Sequence, residues 1–336
     1  MRRFLGQWLV IACGLVGSGG ALACDVTLSA GANIQSSLNS TANEICLNAG
    51  TYRPASTLMV PANKTLRGLG SNRDQVVIES QVTSGSNTMM IRARSGALLR
   101  NFTLTSKTGQ LPTYGVFVGG DDDVTVWSLS IRKAKINMGI SSSVGTEVLD
   151  TYMSVPGDPN DGAANPNLWI NQSADIVVWY GAFYGGAGFG TDPNGNLTGD
   201  GELGVYDSIG VQITGSNFFD SGSSSVYFRN CDQCFIKSAS VYNAKGFGLD
   251  LVDAKNNPND GNDDLFVQNN LISGSGFGGI VIKLVGGNHV TMTGNTLTSN
   301  NTTHSSSCSG INVIGTQGSL VLQSNSVSPA PVSCTF

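Results

Sequence analysis

The clearest pattern in the chain is a two-residue alternation of apolar and polar side chains that recurs every 23 to 31 residues. Four segments align without gaps: Ser225–Asn230, Gly248–Asp253, Gly279–Leu284 and Gly310–Gly315. The alternation predicts strands with one buried face, because successive side chains of a strand point to opposite sides. If the strands are stacked, equivalent positions form columns. The inward columns are Val226, Leu249, Ile280 and Ile311, and Phe228, Leu251, Ile282 and Val313.

The same pleat places the intervening residues on the outside of the stack. One outer column holds Tyr227, Asp250, Val281 and Asn312, and the other holds Arg229, Val252, Lys283 and Ile314. We expect earlier strands to extend the first column with Phe117, Ser141, Trp169 and Gly204, and the second with Asn171 and Tyr206. Because aromatic and charged side chains gather there, this outer face is a candidate binding surface.

A second repeat marks the turns of the chain. An Asn or Ser is followed, directly or after one residue, by an apolar residue at Asn217, Ser240, Asn270, Asn295 and Asn325. These positions are 23 to 30 residues apart, as expected for one coil of a β-solenoid. With 44 glycines and only 12% charged residues, the composition favours many tight turns and little helix.

Three segments near the start resemble the opening of pectate-lyase-like right-handed parallel β-helix proteins. They are Ala32–Leu38, Glu44–Tyr52 with its Gly-Thr-Tyr ending, and Leu66–Gly70. The resemblance implies an all-β, single-domain right-handed parallel β-helix over residues 24–336, with a short N-terminal capping helix. It also implies a ladder of stacked Asn side chains in the turns and a polysaccharide as partner. Fold does not by itself determine chemistry.

The first 23 residues read as a signal peptide. Arg2 and Arg3 precede an apolar run, and Ala21-Leu22-Ala23 fits a cleavage signature. We therefore expect a secreted or periplasmic protein cleaved near Ala23. An alternative is a lipid anchor on Cys24, although Ala21 stands where such a signal needs Leu. No other stretch of the sequence could cross a bilayer.

Six of the seven cysteines follow the predicted cleavage point. An even number in an exported protein suggests disulfides. Pairing of sequence neighbours gives Cys24–Cys46, Cys231–Cys234 and Cys308–Cys334, which is one of fifteen connectivities.

The acidic balance limits the class of partner. The formal net charge is −5, and signal cleavage would remove two arginines and no acidic residue. Nucleic acid is therefore an unfavourable partner, since its phosphates call for a basic surface. An acidic polysaccharide would need local cations to bind. We expect a monomer.

The leading hypothesis for function is an exported polyuronate lyase, which cleaves its substrate by β-elimination in a groove over the middle coils. The reaction needs a cation at the uronate carboxylate and a base for the neighbouring proton. The candidate catalytic residues are Arg229 and Lys283 as cations, and Tyr206, Tyr227 and Asp250 as bases or acids. The candidate substrate-binding residues are Trp169, Asn171, Asp207 and Asn312. The alternative for each is an ordinary exposed residue of a solenoid face.

Four aspartates crowd the stretch that follows the strand of Asp250: Asp253, Asp260, Asp263 and Asp264. Oxygen ligands at this density suit Ca²⁺, which could bridge an acidic protein and an acidic glycan. The alternative is a solvated acidic loop.

Three other functions stay open on the same scaffold. The first is a non-catalytic glycan-binding or adhesion protein, favoured by the scarcity of basic residues. The second is a uronan C5-epimerase, because Asp158–Asp161 resembles that family's Asp-Pro-His-Asp motif, although Asn160 replaces the histidine. The third is a glycoside hydrolase that pairs Asp250 with Asp207 or Asp253.

Overall fold

The computed structural model describes residues 24–336, except 84, 108, 110, 155–164, 187–189, 192–196, 199, 252–263, 284–288, 304–307, 316–317, 330–332 and 336. The predicted signal peptide therefore lies outside the described residues. Three long parallel sheets account for nearly all the secondary structure in the described part. The chain is an all-β, single-domain right-handed parallel β-helix, as the sequence pattern predicts.

After a first strand in sheet 1, each coil of the solenoid contributes one strand to each sheet, in the order sheet 1, sheet 2, sheet 3. Sheet 1 has twelve strands: Val26–Leu28, Glu44–Leu47, Thr65–Gly68, Leu98–Arg100, Thr125–Trp127, Glu147–Leu149, Val177–Trp179, Gln212–Thr214, Phe235–Lys237, Leu265–Gln268, His289–Thr293 and Ser319–Gln323. Sheet 2 has eleven: Gly50–Tyr52, Val76–Ser80, Thr103–Ser106, Ser130–Arg132, Tyr152–Ser154, Ala182–Tyr184, Asn217–Phe219, Ser240–Tyr242, Leu271–Ser273, Thr296–Thr298 and Ser326–Ser328.

Sheet 3 carries the columns predicted above. Its eleven strands are Leu58–Val60, Met89–Ala93, Tyr114–Gly119, Ile136–Ser141, Leu168–Asn171, Asp200–Ile209, Ser224–Asp232, Phe247–Leu251, Gly278–Lys283, Ile311–Ile314 and Ser333–Thr335. The remaining elements are an antiparallel pair, Gly190–Thr191 with Leu197–Thr198, a 3-10 turn at Arg73–Gln75 and the helix Ile34–Leu38.

The inward columns form the core of the solenoid. Val226 pairs with Leu249, Leu249 with Ile280, and Ile280 with Ile311, so the predicted column is confirmed. All four are fully buried. Neighbouring strands of a sheet lie about 4.8 Å apart, which keeps each aliphatic side chain in contact with its equivalents. The helix Ile34–Leu38 buries its first and last residues over the N-terminal end, as expected of a cap.

The turn between sheets 1 and 2 contains the predicted Asn ladder, with a change of register. Asn270 Nδ2 donates to Asn295 Oδ1 at 2.9 Å, and Asn295 Nδ2 donates to Asn325 Oδ1 at 2.8 Å. Asn217, however, pairs with Ser240, and Ser240 pairs with Leu271, so both lie one residue beyond the ladder. The polar and apolar repeat in the sequence does not distinguish these two adjacent positions of the turn.

Two of the three predicted cysteine pairs are disulfides in the structure: Cys24–Cys46 and Cys231–Cys234. The first ties the start of the described chain to the second strand of sheet 1. Cys308 is also disulfide-bonded, whereas the side chain of its predicted partner, Cys334, lies outside the described part.

Candidate functional site

The outer face of sheet 3 presents two parallel columns of side chains, which we call the first and second columns. The first runs through Arg92, Phe117, Gly139, Trp169, Gly204, Tyr227, Asp250, Val281 and Asn312. The second contains Gly119, Ser141, Asn171, Tyr206 and Arg229, and further along Lys283 and Ile314.

One predicted position changes column. Ser141 was expected beside Trp169 in the first column, but that place belongs to Gly139, and Ser141 pairs with Asn171 in the second. A slip of two residues preserves the inward and outward alternation, so the apolar pattern of this strand fits both registers equally well. Gly139 suits its place because a Cβ there would come within 2.7 Å of the Tyr114 ring.

A cluster of polar side chains in the middle of this face joins Arg229, Tyr206 and Asp207. The Arg229 guanidinium carbon lies 4.5 Å from the centroid of the Tyr206 ring. Its Nη2 lies 3.3 Å from Asp207 Oδ2. The guanidinium thus contacts both a ring and a carboxylate, and its side chain remains 26% exposed. This is a cation fixed in place at the surface before any ligand arrives.

The turn after Tyr206 explains how Asp207 reaches this cluster. Asp207 has a left-handed backbone (φ +47°), which breaks the pleat and turns its carboxylate toward the next coil. Asn230, the equivalent residue one coil on, is also left-handed, and its Nδ2 donates to Asp207 Oδ1 at 3.0 Å. The carboxylate is thus shared between the amide and the guanidinium.

Further aromatic rings lie beside the cluster and toward the N-terminal end of sheet 3. The Tyr206 and Tyr227 rings have centroids 5.4 Å apart. Toward the N-terminal end, Tyr114 stands between Phe117, at 4.7 Å, and Trp169, at 6.4 Å. Such rings offer apolar faces against which a sugar ring can pack.

Asp250 and Lys283 continue the columns toward the C-terminal end. Asp250 pairs with Tyr227, and its Oδ2 accepts a hydrogen bond from Ser224 Oγ at 3.3 Å. Lys283 lies two coils beyond Arg229 in the second column, about 10 Å away at the usual strand spacing. The side chain of Lys283 lies outside the described ones.

A shallow depression adjoins the second column where the chain leaves sheet 3. Its volume is about 500 Å³, and Asp207, Asn230 and Asp232 line it together with a ledge of serines. Within the ledge, Ser143 N donates to Ser173 Oγ and Ser173 N donates to Ser208 Oγ. The small side chains leave room for a ligand beside Arg229.

The predicted substrate-binding residues do not all face solvent. Trp169 and Asn171 lie in the two columns and are partly exposed. Asn312 is in the first column but is only 3% exposed, and its Nδ2 donates to the carbonyls of Ile280 and Cys308. These bonds indicate that Asn312 holds its coil together.

Most of the predicted calcium site cannot be placed. Asp253, Asp260 and Asp263 lie outside the described residues. Asp264 is exposed, has a left-handed backbone, and lies 3.9 Å from His289 Nδ1.

A buried carboxyl group lies in the corner just before the first column. Glu202 is 0% exposed, and its two oxygens accept hydrogen bonds from Asn167 Nδ2 and from Gly186 N. Asn167 in turn accepts from Asn137 Nδ2 at 2.6 Å. Burial raises the pKa of the Glu202 carboxyl to about 8, and Asp220 raises it slightly further. At neutral pH this group is predominantly uncharged.

Several exposed side chains with binding potential were missed by the sequence reading. Arg92 lies in the first column between Met59 and Phe117, and its guanidinium carbon is 5.9 Å from the centroid of the Phe117 ring. Trp127 and Trp179 are exposed on sheet 1, at the ends of the strands Thr125–Trp127 and Val177–Trp179. Val177–Trp179 is apolar throughout, so alternation in the sequence does not show that its tryptophan faces solvent.

The fold is similar to those of several solved proteins. The Streptococcus pneumoniae surface protein and adhesin PfbA has a TM-score of 0.68 and 11% identity, over 88% of this chain and 92% of that chain. An alginate lyase from a Paenibacillus strain has a TM-score of 0.55 and 16% identity, over 93% and 98%. The A-module of a mannuronan C-5 epimerase from Azotobacter vinelandii has a TM-score of 0.51 and 13% identity, over 87% and 90%.

These similarities establish the parallel β-helix and no more, because identities this low carry no residue-level correspondence. No protein-family model matches the sequence, and no curated protein matches it either. In the described part of the chain, no helix has both the length and the apolar character needed to cross a membrane.

Proposed function

We propose that this protein binds an acidic polysaccharide along the outer face of sheet 3 and cleaves it as a polyuronate lyase. The observation that carries the proposal is that the Arg229 guanidinium lies against the Tyr206 ring, which in turn lies 5.4 Å from the Tyr227 ring. A cation and two phenol groups are thus neighbours on this face. Alginate lyase and mannuronan epimerase are among the proteins that share this fold. Their names make uronans a reasonable substrate class to test first.

The chemistry assigns one task to each group. The uronate carboxylate binds Arg229, which neutralises its charge and makes the proton on the adjacent carbon, C5, easier to remove. Tyr227 or Tyr206, in its deprotonated tyrosinate form, takes that proton, with the Asp250 carboxylate as an alternative base. The electron pair forms the C4=C5 double bond, the C4–O4 bond breaks, and the leaving oxygen takes up a proton. The products are a new reducing end and an unsaturated sugar.

Asp207 does not prevent a ligand from using Arg229. The ion pair uses Nη2 of the guanidinium, and an arginine carries five N–H donors. A substrate carboxylate can therefore bind a further donor while Asp207 stays in contact with Arg229 and Asn230. The proposed binding does not require the ion pair to break.

Export and calcium form part of the same proposal. A polysaccharide-cleaving protein must meet its substrate outside the cytoplasm, and two disulfides suit an oxidising compartment. The signal sequence of residues 1–23 would direct it there. Calcium bound by the acidic stretch that includes Asp264 would offset part of the protein's negative charge.

The direct test is the ultraviolet absorbance of unsaturated sugar ends. Purified protein is incubated with alginate, polygalacturonate and other polyuronates, with calcium and with a chelator. We expect absorbance to rise with at least one substrate. Absence of product on every polyuronate, in both conditions, would contradict lyase activity.

A non-catalytic glycan-binding protein is the second candidate. Arg229 is already held by Asp207 and Tyr206, and a cation and rings fixed in this way can bind a uronan without moving a proton. The two functions separate in one experiment. Retention of the protein on a polyuronate column, combined with no ultraviolet product, would favour binding alone.

A further inference from the structure

The outer face of sheet 1 has a groove of its own, on a different sheet of the solenoid from the cluster on sheet 3. Its volume is about 830 Å³. Along the strands of sheet 1, Trp179 pairs with Thr214, and Thr214 pairs with Lys237. Trp179 and Lys237 are thus two coils apart, about 10 Å at the usual strand spacing, with a short side chain between them.

The groove has two walls and a low floor. Trp179, 41% exposed, forms one wall and is supported from behind by Tyr180, whose ring is 5.6 Å away and nearly parallel. Phe235 and Phe266 form the other wall as a stacked pair with centroids 4.7 Å apart. Thr214 lies low between the walls and leaves the space open.

Polar groups alternate with these rings because two outer columns run side by side. Gln212 and Lys237 line the groove next to the aromatics, and Glu147 lies at its other end. The single base and the single acid among the lining residues offset each other. An anionic partner such as nucleic acid would call for more basic residues, and an apolar helix would leave these polar groups without water or partners.

A sugar ring fits both features of this lining. Its C–H face packs against an exposed indole, and its hydroxyls bond to amide, hydroxyl and charged groups around the edge. We propose that the groove is a second glycan-binding site, which takes an uncharged stretch of two or three sugars with one ring on Trp179. The site needs no chemistry on sheet 3, and it would hold a polysaccharide on a face away from the proposed cleavage site.

The test is binding to a glycan array that carries xylan, mannan and β-glucan fragments beside alginate and polygalacturonate. We expect wild-type protein to bind at least one uncharged fragment, and Trp179→Ala to weaken that binding by about tenfold or more. Trp179→Phe, which keeps an aromatic face, should recover part of it.

Trp127 supplies the matched control. It lies in the same column as Trp179, two coils earlier, with 38% exposure. It is outside the groove, and the Arg100 guanidinium covers its ring at 3.9 Å. Trp127→Ala should therefore bind like wild type. Absence of binding to every uncharged fragment, or equal effects of the two tryptophan substitutions, would overturn the proposal.

Failure of this site is distinguishable from failure of the lyase proposal. Arg229→Ala should lose ultraviolet product on a polyuronate and keep the binding to uncharged fragments. Trp179→Ala should show the opposite pattern on short polyuronate substrates. Loss of uncharged-fragment binding in Arg229→Ala would mean that one site serves both ligands, and would contradict a separate groove.

Discussion

Replacement of Arg229 by alanine is expected to lower the rate of polyuronate cleavage by about 100-fold to 1000-fold, with little change in stability. The range follows from the loss of one fixed group that stabilises developing charge in the transition state. Arg229→Lys keeps the charge but loses the planar fork, so we expect an intermediate rate. The measurement is the initial rate of ultraviolet product formation, with thermal unfolding recorded for each variant.

Arg132 offers a matched control on another sheet. Its guanidinium carbon lies 5.7 Å from the Tyr152 ring, and its Nη2 lies 3.1 Å from Asp74 Oδ1. The arrangement thus repeats that of Arg229, with a tyrosine and an aspartate as partners, away from sheet 3. Arg132→Ala should keep the rate within about twofold of wild type. Similar losses in the two variants would point to a general effect on the fold and would remove Arg229 from the chemistry.

The second large effect concerns stability and pH, and it depends on Glu202. Its pKa is about 8 in the folded protein, against an ordinary value of 4.5. Below pH 4.5 the group is protonated whether the chain is folded or unfolded. Between pH 4.5 and 8 the folded state keeps the proton that the unfolded state loses, so stability falls as the pH rises. The slope is about 1.4 kcal/mol per pH unit, and the total is on the order of 5 kcal/mol.

Urea unfolding at several pH values from 5 to 9 measures this effect. Glu202→Gln removes the titrating group but keeps an acceptor and the shape of the side chain. It also places an amide donor near Asn167 Nδ2 or Gly186 N, so its absolute stability can differ from wild type. The quantity to compare is therefore the slope of the free energy of unfolding against pH, in Glu202→Gln and in wild type. We expect the variant to lose the decline up to pH 8, and equal slopes would contradict an uncharged buried Glu202.

The core of the fold could be predicted because its signal is redundant. Each coil repeats the same inward pair of apolar residues, so Val226, Leu249, Ile280 and Ile311 align even though the loops between them vary in length. Burial of a continuous aliphatic column leaves few alternative arrangements.

The sequence pattern determines the strand register less well in the earlier coils than in the later ones. Ser141 was misplaced by two residues because a slip of this size exchanges one inward position for another and costs nothing in pattern. The choice between Gly139 and Ser141 depends on packing against Tyr114, which belongs to the preceding coil. Contacts of this kind are invisible in a single strand.

The sequence predicts which residues lie in the two columns of the candidate site, but it does not predict the contacts between their side chains. Alternation puts Tyr206 and Arg229 on one face, but the ion pair with Asp207 depends on a left-handed turn just beyond the strand. The burial of Glu202 is likewise not predicted by the alternation. It precedes the inward Leu203 by one residue and would be outward by alternation, yet the corner of the coil encloses it.

A crystal structure of the Tyr227→Phe variant with a polyuronate tetrasaccharide would test most directly whether sheet 3 is the substrate-binding face. The substitution removes one proposed proton-transfer group while leaving Arg229 and Tyr206 in place. We predict a sugar carboxylate within salt-bridge distance of the Arg229 guanidinium, on a chain that crosses the two columns between Trp169 and Asp250. A tetrasaccharide bound on another face, with Arg229 still paired to Asp207 alone, would contradict the assignment.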